Sequence, residues 1–221
     1  MYAENLPPEP VRTVVRCRWR SVEAGPKRIV PDGCVDLVAG DGEVFVAGPD
    51  TGPWSSVSTP GAILTGLRFH PGAAPAVLGV AADELRDRRV PLAELWGGRG
   101  ARLADAVLSG QRTLTDVVRS RIAAPDETVA GMLARLGAVP SRVGAPPPGL
   151  GERQLRRRFT VAVGYGPATY LRVLRLQRAI ALAPRTRGLA ALAARAGYAD
   201  QAHLGREFRA LTGLTPGAYF S

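Results

Sequence analysis

Lysine is almost missing from this 221-residue chain: Lys27 is the only one among 29 basic residues. Arginine-rich coding is common in GC-rich genomes, so that bias alone carries no function. Cysteine is scarce as well. Two residues, Cys17 and Cys34, are too few for a disulfide framework and stand at no metal-type spacing. That excludes a stapled secreted scaffold and a zinc module, and it fits a reduced, cytoplasmic setting. No apolar run approaches the roughly 20 residues that span a bilayer. The first ten residues, with Glu4 and three prolines, lack the apolar core of a secretory leader. Absent too are a phosphate-binding glycine loop, paired histidines on one helix and a nucleophile elbow. The expectations are therefore no enzyme, no cofactor, no metal and no membrane.

Acidic residues are what the second half lacks. Met1 to Ala124 holds 15 basic and 14 acidic residues, whereas Pro125 to Ser221 holds 14 and 5, so that half carries +9 of the net +10. The same coding bias left the first half balanced, so the asymmetry points to a polyanionic partner for the second. The length suits two domains, each with its own core.

In the first half, Arg12 to Val22 alternates: Val15, Cys17 and Trp19 are expected on one face of a strand and Arg16, Arg18 and Arg20 on the other. Val35 to Val38 and Val44 to Val46 flank Gly40, Asp41 and Gly42 and read as a hairpin. Ala62 to Phe69 is a third apolar stretch. Helical spacing follows through Ala81 to Leu85, Leu92 to Trp96 and Leu103 to Ile122. Cys17, Cys34 and His70 are the candidates for a soft metal site or a nucleophile with its base. The apolar setting of Cys17 favours a small hydrophobe instead.

A pattern occurs twice in the last third. Leu155, Arg157, Phe159, Gly164, Pro167 and Tyr170 recur as Leu204, Arg206, Phe208, Gly213, Pro216 and Tyr219, each pair 49 residues apart. Two copies of one helical unit follow. In the second, Leu189 to Ala196 reads as a short helix stopped at Gly197. Asp200 caps a new helix with Leu204, Phe208 and Leu211 on its buried face. Ala202, Arg206 and Arg209 then point outward, with Gln201 and His203 near the helix start. A short helix, a glycine turn and a second helix with a polar outer face describe a helix-turn-helix, whose second helix enters the major groove of double-stranded DNA. Arg206 suits guanine, Gln201 adenine, and Ala202 a thymine methyl. In the first unit Arg153 and Arg157 point outward, flanked by Arg156 and Arg158. Between the units Ala168 to Ala183 reads as one connecting helix carrying a stripe of Arg172, Arg175 and Arg178, with phosphate contact or simple solvent exposure as its two readings.

The stretches GERQLRRRFTVAVGYGPATYLRVLRLQRAI and LAALAARAGYADQAHLGREFRALTGLTPGAY resemble the DNA-binding domain of the AraC/XylS family of bacterial transcription regulators, over about the last 97 residues. The resemblance implies seven helices forming two helix-turn-helix units joined by a long helix, set in successive major-groove segments of one DNA face. It implies base contacts from Arg153, Arg156 and Arg157 in the first unit and from Gln201, Ala202, His203 and Arg206 in the second. PDGCVDLV, GLRFHPGAAPAVLGV and VPLAELWG resemble the small N-terminal domain of one branch of these regulators.

The expected architecture is α+β: a small antiparallel β-sheet domain with helices over residues 1–98, a helical linker over 99–124, and an all-α double helix-turn-helix domain over 125–221. The expected function is sequence-specific transcription regulation. Its expected further partners are a small-molecule effector on the first domain, a second copy of the chain, and RNA polymerase for an activator. Two alternatives stand beside it: a cysteine-based alkyl-transfer or sensor protein fused to a DNA-binding module, and a constitutive DNA-binding protein without ligand. One departure from the family separates the two units. Pro146, Pro147 and Pro148 stand where a scaffold helix precedes the first reader, and an interior proline costs about 3 kcal/mol or more. The second unit is thus expected to carry most of the specificity and the first mainly charge. In binding assays on a selected site and its point variants, Arg206→Ala should relax sequence preference, while Arg157→Ala should weaken all sequences alike. Equal, uniform losses from both would refute the asymmetry.

Overall fold

The computed structural model describes residues 2–22, 25–138 and 151–221. Its first part contains β1 (Tyr2–Asn5), β2 (Val15–Val22), β3 (Lys27–Ile29), β4 (Asp36–Gly40), β5 (Glu43–Ala47), β6 (Trp54–Ser56), β7 (Ile63–Phe69), α1 (Pro75–Leu78), β8 (Arg89–Pro91), α2 (Leu92–Leu108) and α3 (Leu114–Arg119). Six strands form one antiparallel sheet in the order β1-β2-β7-β4-β5-β8, and β3 pairs with β6 in a separate ribbon. The hairpin expected around Gly40 to Gly42 is β4–β5: Asp41 and Gly42 take φ of 53° and 79°, the positive values that a two-residue turn between twisted strands requires. Ala81 to Leu85, expected to be helical, forms turns. Its bonds run from Glu84 N–H to Ala81 and from Leu85 N–H to Ala82, and the Ala82 N–H goes to the Val161 carbonyl instead of a local acceptor.

Alternation sorts the sheet's two faces. Leu37, Val44, Val46, Leu67 and Phe69 face the helices, where they share a core with Val77, Leu78, Leu92, Leu114, Val117 and Val118. The residues expected to form a linker thus include part of this core. Register corrects one reading of β2: Val15 pairs with Phe69 but Cys17 with Arg68, a bulge that leaves Arg16 extra. Adding one residue inverts the facing of all that follow. Val15 therefore lies with the helices, and Cys17 and Trp19 lie on the opposite face with Arg68 and Gly66.

That opposite face, covered by the β3–β6 ribbon, bounds a cavity of about 380 Å³. Two arginine–aspartate forks line it. Arg68 donates to both oxygens of Asp36 (3.1 and 3.0 Å) and Arg89 to both of Asp50 (2.7 and 2.8 Å). Trp19 Nε1 donates to Asp36 as well, at 3.0 Å. Burial raises the Asp36 carboxyl above its ordinary value, against the opposing Arg68 charge and hydrogen bond; an unpaired charge there would be costly. Trp19 lies against bare backbone, since a Cβ on Gly66 would stand 2.3 Å from its ring. Gly66→Ala should accordingly displace Trp19 and lower stability by about 1–3 kcal/mol, the usual range for overpacking. Urea unfolding followed by tryptophan fluorescence checks this, and an unchanged midpoint would contradict it.

Residues 127–221 contain α4 (Glu127–Gly137), α5 (Glu152–Val163), α6 (Pro167–Leu182), α7 (Leu189–Ala196), α8 (Gln201–Thr212) and α9 (Pro216–Phe220). The triple proline lies outside the described residues. Two cores form here, and α6 serves both. Its Tyr170, Leu171 and Val173 pack with Phe159, Val163 and Val129, whereas its Leu176 and Ala179 pack with Leu192, Leu204 and Phe208.

Candidate nucleic-acid interface

Each repeated residue has the same physical task in both units. Leu155 and Phe159 on α5, like Leu204 and Phe208 on α8, are buried. Gly164 and Gly213 end the two helices in the left-handed conformation, at φ of 99° and 75°, where a side chain would be strained. Pro167 and Pro216 open the next helices, where a missing N–H costs nothing. Tyr170 meets Phe159 edge to face at 5.7 Å, and Tyr219 meets Phe208 likewise at 5.1 Å.

With these anchors inward, the remaining faces point to solvent. Arg153, Arg156 and Arg157 on α5 are exposed, and so are Gln201, Ala202, Arg206 and Arg209 on α8. None of these arginines has a carboxylate partner among the described residues. His203 is half-buried. Its Nδ1 accepts the Ala199 N–H at 3.2 Å and its ring meets Tyr198 edge to face at 5.3 Å, which leaves Nε2 as the outward nitrogen. Asp200 caps α8 through the His203 N–H at 2.6 Å. The turn and the reader's first residues are thus braced by each other.

The polar position that faces the scaffold is also equivalent in the two units. Arg158 on α5 forks onto Asp126 at 2.9 Å through both Nε and Nη2, and Asp126 simultaneously caps α4 through the Thr128 and Val129 N–H groups. Glu207, 49 residues on, instead receives Arg172 Nε of α6 at 2.5 Å. Of the α6 stripe, Arg172 and Arg178 are tied inside the domain, Arg178 donating to the Gly137 carbonyl at 2.9 Å, while Arg175 lies beside the Gly197 turn, about 4 Å from where a Cβ on that glycine would stand.

The first domain touches both units. Ala82 N–H donates to Val161 of α5 at 2.7 Å, Gln177 of α6 donates to the Pro31 carbonyl at 2.6 Å, and Arg28 donates to the Thr212 carbonyl that ends α8 at 3.0 Å. No spacing signal in the sequence marks these pairs.

The cysteine candidates are not brought into a reactive site. Among the described residues no three His, Cys, Asp or Glu side chains are placed to hold a metal. Both thiols are buried and free. Burial pushes the Cys17 thiol up to about 11 and raises Cys34 well above its ordinary value, so the nucleophilic thiolate is disfavoured at both.

Residues 148–221 match the family described as a helix-turn-helix domain, and residues 3–91 match a domain of unknown function, DUF6597. No curated protein matches the chain in sequence. Among solved structures, ToxT from Vibrio cholerae in its P21 form aligns over 99% of this chain and 97% of that chain, at 10% identity and a TM-score of 0.50. ToxT from Vibrio cholerae O395 aligns over 99% and 96%, at 10% identity and a TM-score of 0.48. At 10% identity, the match at a TM-score of 0.50 shows a shared fold and nothing finer. Because Asp126 serves two helices, Asp126→Ala should cost about 1–2 kcal/mol, beyond the typical loss of a cap alone. Thermal melting beside Thr113→Ala, whose loss is confined to the capping box of α3, is the comparison; equal losses would deny the second role.

Proposed function

We propose a mechanism for what this chain is, an AraC-type helix-turn-helix DNA-binding transcription regulator: α5 and α8 read two neighbouring major-groove segments, and the β-rich domain modulates that reading. The observation that carries the proposal is the equivalence of two outward faces, 49 residues apart, on helices whose cores are both built on α6. In each unit the buried anchors turn the same helical positions outward: Arg153 and Arg157 in the first, Ala202 and Arg206 in the second.

The chemistry of the two faces differs. On α5, Arg153, Arg156 and Arg157 present three uncompensated guanidiniums, suited to phosphates and to guanine O6 and N7. On α8, Gln201, Ala202, His203 and Arg206 offer an amide, a small apolar contact, an imidazole nitrogen and one guanidinium, which together discriminate among bases. Arg209 lies on the same side of α8 one turn on, placed for backbone phosphate. Arg172 acts as a positioning residue, holding α8 against α6 through Glu207, and Arg175, beside the turn at Gly197, is read as a backbone-phosphate contact. Modulation is supported over constitutive binding by the contacts that the first domain makes to α5, α6 and α8. A second copy of the chain, or RNA polymerase, is a partner that this reading accommodates without specifying.

Two readers on one rigid helix should protect two DNA half-sites about 10 base pairs apart on one face. The log of the affinity should fall steeply with log salt, and Arg156→Ala should reduce that slope by about 0.9, the release expected for one phosphate. Footprinting and a salt series on a selected site measure both. A single protected segment, or a flat salt response, would overturn the two-reader mechanism.

A further inference from the structure

Residues 28–34 form a wall with the cavity of the first domain on one side and the DNA-binding domain on the other. Resting on the reading that the first domain modulates DNA binding, we propose that this cavity takes a flat organic monoanion and that Arg28 transmits its occupancy to the end of α8.

The ligand class follows from the charges that line the cavity. Asp32, Asp36 and Asp50 all face it, and all three are engaged: Asp36 and Asp32 by Arg68, Asp50 by Arg89. Lys27 and Arg28 also line it and have no carboxylate partner among the described residues. Among the described residues, Lys27 Nζ meets the Ser21 hydroxyl at 3.4 Å and the Tyr2 ring at 4.7 Å. Four aromatic rings, those of Tyr2, Trp19, Phe45 and Trp54, contribute to the apolar lining, with Trp19 against Gly66 and Trp54 under the Arg89 guanidinium at 4.4 Å. A cationic guest would find the carboxylates occupied and the Tyr2 and Trp54 rings already facing protein cations. An anion with a planar body meets both the free charge and the walls. About 380 Å³ lies within the ordinary range for small-molecule sites.

Transmission follows from the position of Arg28, which lines the cavity while its Nη1 donates to the Thr212 carbonyl at 3.0 Å. That carbonyl ends α8, where the helix dipole favours a cation. Gly213 gives the guanidinium room, since a Cβ there would stand 2.9 Å from Nη1. A ligand carboxylate offers Arg28 a charge-assisted bond, stronger than one to a neutral carbonyl, and so draws it off the second reader. Neighbouring residues tie the same wall to the rest of the domain. Val30 packs on the second unit's core, Pro31 accepts from Gln177, and Asp32 and Cys34 face the cavity again. From the first unit, Tyr165 presses its hydroxyl behind Gly33, 3.6 Å from where a Cβ would lie. That hydroxyl is buried with no hydrogen-bond partner among the described residues, and the carboxylates that act on it are Asp32 and Asp50 of the cavity lining. A buried polar group without a partner is uncommon, and this one is aimed at the same wall.

The test uses the full chain without DNA. Benzoate, cinnamate and 2-naphthoate, each beside its neutral amide and its amine analogue, are titrated by calorimetry at up to millimolar concentration. At least one acid should bind about tenfold tighter than its amide, and its amine should not bind. Lys27→Ala should weaken the acid while leaving hydrogen exchange of amides 211–215 as in the unliganded wild type. Saturating acid should raise that exchange about tenfold, as expected when a local restraint is lost. Arg28→Ala should show the raised exchange without ligand and no further rise with it, and Arg28→Lys should fall between. No acid bound, no preference for the acid, or binding that leaves exchange unchanged would each overturn the proposal. Since no readout involves DNA, a failure to bind DNA would strike the function proposed above and not this coupling.

Discussion

The sharing of α6 between two hydrophobic cores is the constraint on which the DNA-binding half depends. A 16-residue helix is about 24 Å long, and its two ends are committed to different partners, Tyr170, Leu171 and Val173 to the first unit, Leu176 and Ala179 to the second. Neither reader can rotate about α6 without opening a core. The polar ties Arg158–Asp126 and Arg172–Glu207 then fix each reader's roll about its own axis. They stand at equivalent positions with opposite signs, so the units share a geometry without sharing an electrostatic surface.

The first domain solves a different problem. Its sheet buries one face under helices and leaves the other to a small ribbon, and that second face carries charge. Two arginines and three aspartates sit in partly buried positions where an isolated ion would be costly. Arg68 forks onto Asp36 and also reaches Asp32, and Arg89 forks onto Asp50, so every one of these charges is met. The cavity wall belongs equally to the other domain through Arg28, Val30 and Pro31. The modulation proposed above rests on this shared wall.

Much of the DNA-binding half was legible in the residues. Buried leucines and phenylalanines at helical spacing, Asp200 as a cap and the glycines as stops are local devices, and each acts within about one turn of helix. The repeat could also be read as function, because anchors in one register force the intervening arginines into one outward direction. Less of the first half was legible. The strands β1, β3, β6 and β8 are short and lack a clean alternation, and the bulge at Arg16 separates Val15 from Cys17 although both are apolar and two residues apart. Alternation cannot announce its own interruption.

By itself the sequence determined the charge asymmetry, the duplicated reader and the residues each reader turns outward, because periodicity and capping are properties of neighbouring residues. Only the tertiary structure decided what those readers are fastened to. Arg28 and Thr212 stand 184 residues apart, as remote as partners can nearly be in this chain, and Gln177 reaches Pro31 across 146. Such contacts leave no local period. They arise because two separately folded cores must bury the edges they present to each other, and which polar groups meet there depends on the whole packing.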